Sequence, residues 1–274
     1  MSELTILTIG DAHGRRPLQA KALVKKHNPD AVFCTGDLAY SDKIRTVIFS
    51  NWKKLKKQKK SLLEILGRKK HKELFSEAIK SMDNVLKYLN SLGKPIYLIY
   101  GNNDYPQSEI KEMGYSLLGI ERQAKKYKNI HLMIKSKVKL GQHTLIGISG
   151  YRLLDANTEQ KVGSNEKLDN SFAKLLNKSG KNAIVMYHDV PYKTKFDLVK
   201  NKASPMNGKH VGDCVVRHII TKYKPVLYVC GHMHENPGTI KMGKTICLNT
   251  GSVENKDYFI IRLNDKKVAI KKVK

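Results

Sequence analysis

Five short apolar runs, each followed within two residues by a glycine or a histidine, constrain the possible fold more than any other feature of this chain. They are Leu4 to Ile9, Ala31 to Cys34, Ile96 to Tyr100, Ala183 to Tyr187 and Val226 to Cys230. Runs of this length rich in Ile, Val and Leu, with no polar alternation, are the pattern of strands covered on both faces. Helical patterns lie between them, at Pro17 to Lys26, Ile48 to Leu92, Asn165 to Leu176 and Val211 to Tyr223. Strand alternating with helix predicts an α/β sheet. A second texture, short strands joined by turns such as Leu140-Gly141-Gln142 and Met242-Gly243-Lys244, predicts antiparallel hairpins at Ile130 to Val138 with Thr144 to Ile148, at Thr239 to Met242 with Thr245 to Leu248, and over Tyr258 to Val273. The chain shows no internal repeat and no low-complexity linker, so residues 1–274 are expected to form one domain.

Charge narrows the partners rather than the fold. With 51 Lys and Arg against 24 Asp and Glu, the formal charge is +27, which favours polyanions such as nucleic acid or an anionic surface. The densest cluster is Lys53, Lys54, Lys56, Lys57, Lys59 and Lys60, continued after Gly67 by Arg68, Lys69, Lys70 and Lys72. Ile48, Trp52, Leu55, Leu62 and Leu66 fall near one helical face opposite those lysines. Residues 43–72 are therefore read as a lysine-rich helical insertion riding on the sheet, either a solvated face or a nucleic-acid contact. No apolar run approaches the ~18 residues of a membrane span, and the opening MSELTILTIGDAHG shows neither a charged n-region nor a small-residue cleavage site, so no export is expected. Cys34, Cys214, Cys230 and Cys247 form no C-x-x-C pair. Reduced thiols and a cytoplasmic location are expected.

The chemistry sits just past the strand ends, where open α/β sheets place their sites. Gly10-Asp11-Ala12-His13 follows the first run, Gly36-Asp37 the second and Gly101-Asn102-Asn103-Asp104 the third. His188-Asp189-Val190-Pro191 follows the fourth and Gly231-His232-Met233-His234 the fifth. Singly, each is an ordinary turn. In this order, the set resembles the calcineurin-like metallophosphoesterases from Ile6 to about Ser252, and the runs HDVPYKTKFD, HVGDCVV, PVLYVCGHMHE and LNTGS look most like its compact prokaryotic members.

That resemblance implies a four-layer α/β/β/α sandwich and two divalent transition-metal ions. One ion would be held by Asp11, His13, Asp37 and His234, the other by Asp37, Asn102, His188 and His232. A mixed nitrogen and oxygen donor set suits Mn, Fe, Ni, Co or Zn, and Asp37 has two oxygens with which to bridge. The implied reaction is in-line attack of a bridging hydroxide on a phosphate ester.

One position departs from the family. Its usual G-N-H-D or G-N-H-E carries a His where this chain has Asn103, and an amide cannot deliver a proton. Phosphodiesters with good leaving groups are therefore expected to be preferred over alkyl monoesters. Asn103, Asp104 and His210 are the candidate catalytic residues, Arg15 and Arg16 candidate phosphate contacts, and the loops 104–129 and 151–165 candidate determinants of specificity. Two other functions compete. A nuclease would use the basic surface, although no basic stripe interleaved with aromatics is visible for stacking bases. A non-catalytic scaffold would have no use for a complete ligand set.

Overall fold

In the computed structural model, which describes residues 3–150, 166–177, 179–202, 204, 206–264 and 267–274, the apolar runs are the middles of two sheets. The chain runs β1 (Leu4–Ile9), α1 (Gln19–His27), β2 (Ala31–Cys34), α2 (Asp42–Ser50), α3 (Trp52–Lys56), α4 (Leu62–Asn90) and β3 (Ile96–Leu98). It continues through α5 (Gln107–Glu112), α6 (Ile120–Ala124), β4 (Ile130–Leu132), β5 (Lys135–Leu140), β6 (His143–Ile148), α7 (Glu166–Leu176) and β7 (Ala183–Met186). The last elements are α8 (Cys214–Tyr223), β8 (Leu227–Cys230), β9 (Gly238–Met242), β10 (Thr245–Asn249), β11 (Tyr258–Leu263) and β12 (Val268–Val273). One six-stranded sheet has the order β12-β11-β1-β2-β3-β4 and the other β5-β6-β7-β8-β10-β9. β1 to β4 are mutually parallel, as are β6, β7, β8 and β10.

Why the runs are apolar throughout follows from what lies on either side of them. Successive strand side chains point to opposite faces. Ile6, Phe33, Leu227 and Val229 fill the space between the sheets with Leu145, Ile184, Met186 and Leu248. Leu7, Ile9, Val32 and Cys34 meet Leu23 of α1 and Met82, Val85 and Leu86 of α4. On the far side, Val185, Tyr228 and Cys230 meet Phe172 of α7 and Val216, Ile219 and Ile220 of α8. All four cysteines are buried and free.

Three local expectations change. Ile130 to Val138 is not one hairpin strand. β4 pairs parallel to β3 at the edge of one sheet, while β5 pairs antiparallel to β6 at the edge of the other. The chain crosses between the sheets at Met133 and Ile134, where Met133 N–H donates to Leu98 O and Ser149 N–H donates to Ile134 O. The long pattern from Ile48 to Leu92 breaks at Asn51, again after Lys56, and kinks inside α4 at Gly67 (φ 73°). Third, residues 43–72 do more than ride on the sheet: Ile44 is buried, and Val47, Ile48, Leu62 and Leu66 pack onto the core beside α4. Trp52, however, is 44% exposed. Loop 151–165 lies outside the described residues.

Candidate metal centre

Each turn after a central strand is shaped by contacts that leave little freedom. A Cβ on Gly101 would lie 2.4 Å from Asp37 Oδ1 and from His188 Cε1, and one on Gly231 would lie 2.4 Å from Asp11 Oδ1. Only glycine lets the turns of the two sheets approach so closely. His13, Asp37 and His232 are themselves left-handed, with φ of 45°, 52° and 68°. Such strain persists where surrounding bonds over-determine the backbone. Here Ala12 and His13 N–H donate to Asp37 O at 3.0 and 2.9 Å, and His232 N–H donates to Asp11 Oδ2 at 2.9 Å. The turn Asn249 to Ser252 braces the same region. Asn249 Nδ2 donates to Met233 O and Asn236 O, and Asp11 N–H donates to Gly251 O.

The structure brings together all seven side chains named as metal ligands. Donor atoms of Asp11, His13 and His234 lie within 4.8 Å of one another, and so do those of Asp11, Asp37 and His188. His13 Nε2 stands 3.2 Å from His234 Nε2, which is 2.7 Å from Asp11 Oδ2. Asn102 Oδ1 is 3.0 Å from His188 Nε2 and 2.8 Å from His232 Nδ1. His188 Nε2 is also 3.4 Å from Asp37 Oδ1. The orienting contact for His188 is its Nδ1–H, which donates to Thr35 O at 2.8 Å and leaves Nε2 as the atom that faces two oxygens and would ligate a metal on losing its proton.

Such a crowd of lone pairs fits a cation. Asp11 Oδ1 and His13 Nδ1 are buried without a hydrogen-bond partner among the described residues, and two imidazole nitrogens facing at 3.2 Å share at most one proton. Burial would lower His188, yet the Asp37 and Asp11 carboxylates outweigh it and carry the imidazole up to about 9. Burial, then His188, push His232 down to about 4. For Asp37 burial acts upward, but His188 and His13 together hold the carboxyl below its ordinary range.

The candidate catalytic residues fare differently. Asn103 touches the centre: its backbone N–H donates to Asp37 Oδ1 and its side-chain amide to Asp37 Oδ2. Asp104 is engaged by main-chain donors. Its carboxylate is buried and accepts N–H bonds from Asp37, Leu38 and Gly101 at 2.7 to 2.9 Å, so it clamps two turns together. His210 pairs with an aspartate outside the proposed ligand set. Its Nδ1 is 2.7 Å from Asp197 Oδ1 and its ring lies beside Tyr192, on the loop following β7. Arg15 is paired to Glu254 at 2.8 Å. The residues missed were Thr35, whose role is played by a carbonyl and leaves no trace in a side chain, and Arg45, whose exposed guanidinium is near enough to depress His13 and to oppose the rise of His234.

A family model described as metallophosphoesterase, calcineurin superfamily, matches residues 3–273. An uncharacterized protein of Methanocaldococcus jannaschii is 29% identical over 188 residues, 67% of this chain and 72% of that one. One crystal structure superposes over 100% of both chains with a TM-score of 0.71 at 16% identity. A dimetal phosphatase from Danio rerio superposes with a TM-score of 0.57 at 9% identity, covering 98% of this chain and 95% of that one. These structural likenesses show the fold.

Proposed function

This chain belongs to the calcineurin superfamily of metallophosphoesterases, metal-dependent hydrolases of phosphoric esters, and from that premise we propose that it cleaves phosphodiesters in preference to alkyl monoesters at a centre of two cations. One cation is assigned to Asp11, His13, Asp37 and His234, the other to Asp37, Asn102, His188 and His232. The observation carrying this assignment is the facing of His13 and His234 at 3.2 Å beside the unpartnered Asp11 Oδ1, an arrangement with no evident use to a folded core. Bound there, divalent transition metals supply charge against the phosphoryl oxygens and make water acidic enough to attack near neutral pH. Mn, Fe, Ni, Co and Zn all suit this donor set.

The protein's own part is positioning. Thr35 O fixes which His188 nitrogen faces the centre. Asp104 holds the Asp37 and Gly101 turns in register. Asn103 steadies both Asp37 oxygens and has no proton to give a departing alkoxide, which supports the preference for diesters with acidic leaving groups. The ligand positions are spread from Asp11 to His234 over both sheets, so residues 1–274 are taken to work as one domain. Four buried free thiols support a cytoplasmic setting, and no helix among the described residues is long and apolar enough to cross a membrane.

The test is hydrolysis of bis-p-nitrophenyl phosphate, p-nitrophenyl phosphate and an alkyl monoester after chelation and re-addition of each metal. Activity should vanish with chelator, return with a transition metal, and be greatest on the activated diester. Activity indifferent to chelation rejects the centre. Faster turnover of the alkyl monoester rejects the preference.

A further inference from the structure

α2 begins five residues after Asp37, and its two faces have different fates. Ile44, Val47 and Ile48 turn into the core. Arg45, Phe49 and Trp52 follow at i, i+4 and i+7, the spacing of one helical face. Asn51 N–H still donates to Val47 O at 3.1 Å, so the helical path nearly continues into α3. Phe49 is 61% and Trp52 44% exposed. Their rings stack, with centroids 6.4 Å apart and planes at 29°. Exposed lysines, Lys53, Lys54 and Lys57, follow directly. Periodicity alone groups Trp52 with Ile48 on the buried face; the structure leaves it beside exposed Phe49, and a basic surface interleaved with aromatics results.

The geometry points to a track for single-stranded nucleic acid, in which Phe49 and Trp52 stack bases while Arg45 and the neighbouring lysines follow the phosphates toward the metal centre. Three observations converge on that occupant. A stacked aromatic pair is a platform for any base, because every base has a π-face. The surrounding charge is opposite in sign to a phosphate backbone, within a chain of net charge +27. And the helix that carries Arg45 starts at Asp42, five residues after the proposed ligand Asp37, so the inner end of the track is tied to the turn that bears that ligand. A lipid surface would be expected to meet a broader apolar footprint than two rings. The inference rests on the phosphodiester reading only for what happens to the strand; binding stands without it.

Trp52 is the sole tryptophan, so emission excited selectively from tryptophan rather than tyrosine reports on this face alone. In chelated, metal-free protein, a short oligo(dT) should quench it saturably, with an affinity that falls as salt rises. Phe49→Ala, which keeps the fluorophore and removes no core contact, should weaken the apparent Kd about tenfold, and Phe49→Tyr should restore it. By anisotropy of labelled oligo(dT), Trp52→Ala should weaken binding similarly and Trp52→Phe should recover it. Absence of quenching overturns the track. So does equal affinity for a duplex, a Kd indifferent to Phe49→Ala, or an emission response to anionic phosphatidylglycerol vesicles but not to oligo(dT). Binding with no hydrolysis of bis-p-nitrophenyl phosphate under any metal would leave the track standing and reject the enzymatic reading.

Discussion

Asp37 is the one side chain with an oxygen available to each proposed cation, and its backbone is held independently by Asp104 and by the Ala12 and His13 amides. Asp37→Asn should therefore keep the turn and lose the bridge: elemental analysis of reconstituted protein should fall well below two ions per chain, and full occupancy would contradict the assignment. Asp104 makes the opposite prediction. Asp104→Asn presents an amide to main-chain donors that need an acceptor, and bonds to a charged acceptor are worth about 1.5–3 kcal/mol each. Urea unfolding should show a loss of about 3 kcal/mol, whereas a purely catalytic Asp104 would lose turnover at unchanged stability. Asn103→His should raise hydrolysis of esters with poor leaving groups more than of p-nitrophenyl esters, within the ~10²- to 10⁴-fold reach of a general acid. An equal effect on both would disconnect this position from leaving-group chemistry. All seven proposed ligand positions could be named because donors just past strand ends are a local pattern, and the resemblance to relatives chose among those donors. The clamping contacts of Asp104 were not legible, because its partners are main-chain amides, including those of Asp37 and Leu38, which no residue type announces.

At the scale of elements, periodicity read the strands well and the long helical stretch unevenly. Gly67 was visible as a break, and α4 does kink there. The two sides of that kink differ in what they hold. Met82 is fully buried between α4 and the first sheet, while Leu66 packs only partly against the core. Met82→Ala should thus cost about 2–5 kcal/mol, as buried large-to-small changes do. Leu66→Ala should cost clearly less, and Lys69→Gln on the exposed side should stay within about 0.5 kcal/mol. Equal losses at Leu66 and Met82 would mean that the early part of α4 is as much core as the later part. The split of β4 from β5 was not legible, since Met133-Ile134 carries no glycine or proline to mark the crossing and its hydrogen bonds go to Leu98 and Ser149, distant in sequence.

For the whole molecule, the centre is made by docking one sheet on the other: Asp11, Asp37 and Asn102 follow strands of the first, His188, His232 and His234 strands of the second. The order of sheets was implied by resemblance to known relatives, but periodicity alone said only that the strands are covered on both faces. The place of β1 could be read from neither. It lies between β2 and β11, in register from Leu4 opposite Leu263 to Ile9 opposite Tyr258. This arrangement governs when the protein can mature as it is synthesised. A nascent chain that has reached residue 252 already carries every proposed ligand, yet β11 and β12 are still to come, and β1 has a bare edge. Asp11 then hangs from a strand paired on one side only. A fragment of residues 1–252 should accordingly retain much less metal than the two ions per chain expected of the full chain, by elemental analysis after gel filtration. A fragment that held both ions would show that the ligands assemble without the closing strands; failing that, the metal arrives only after β11 and β12 have been added.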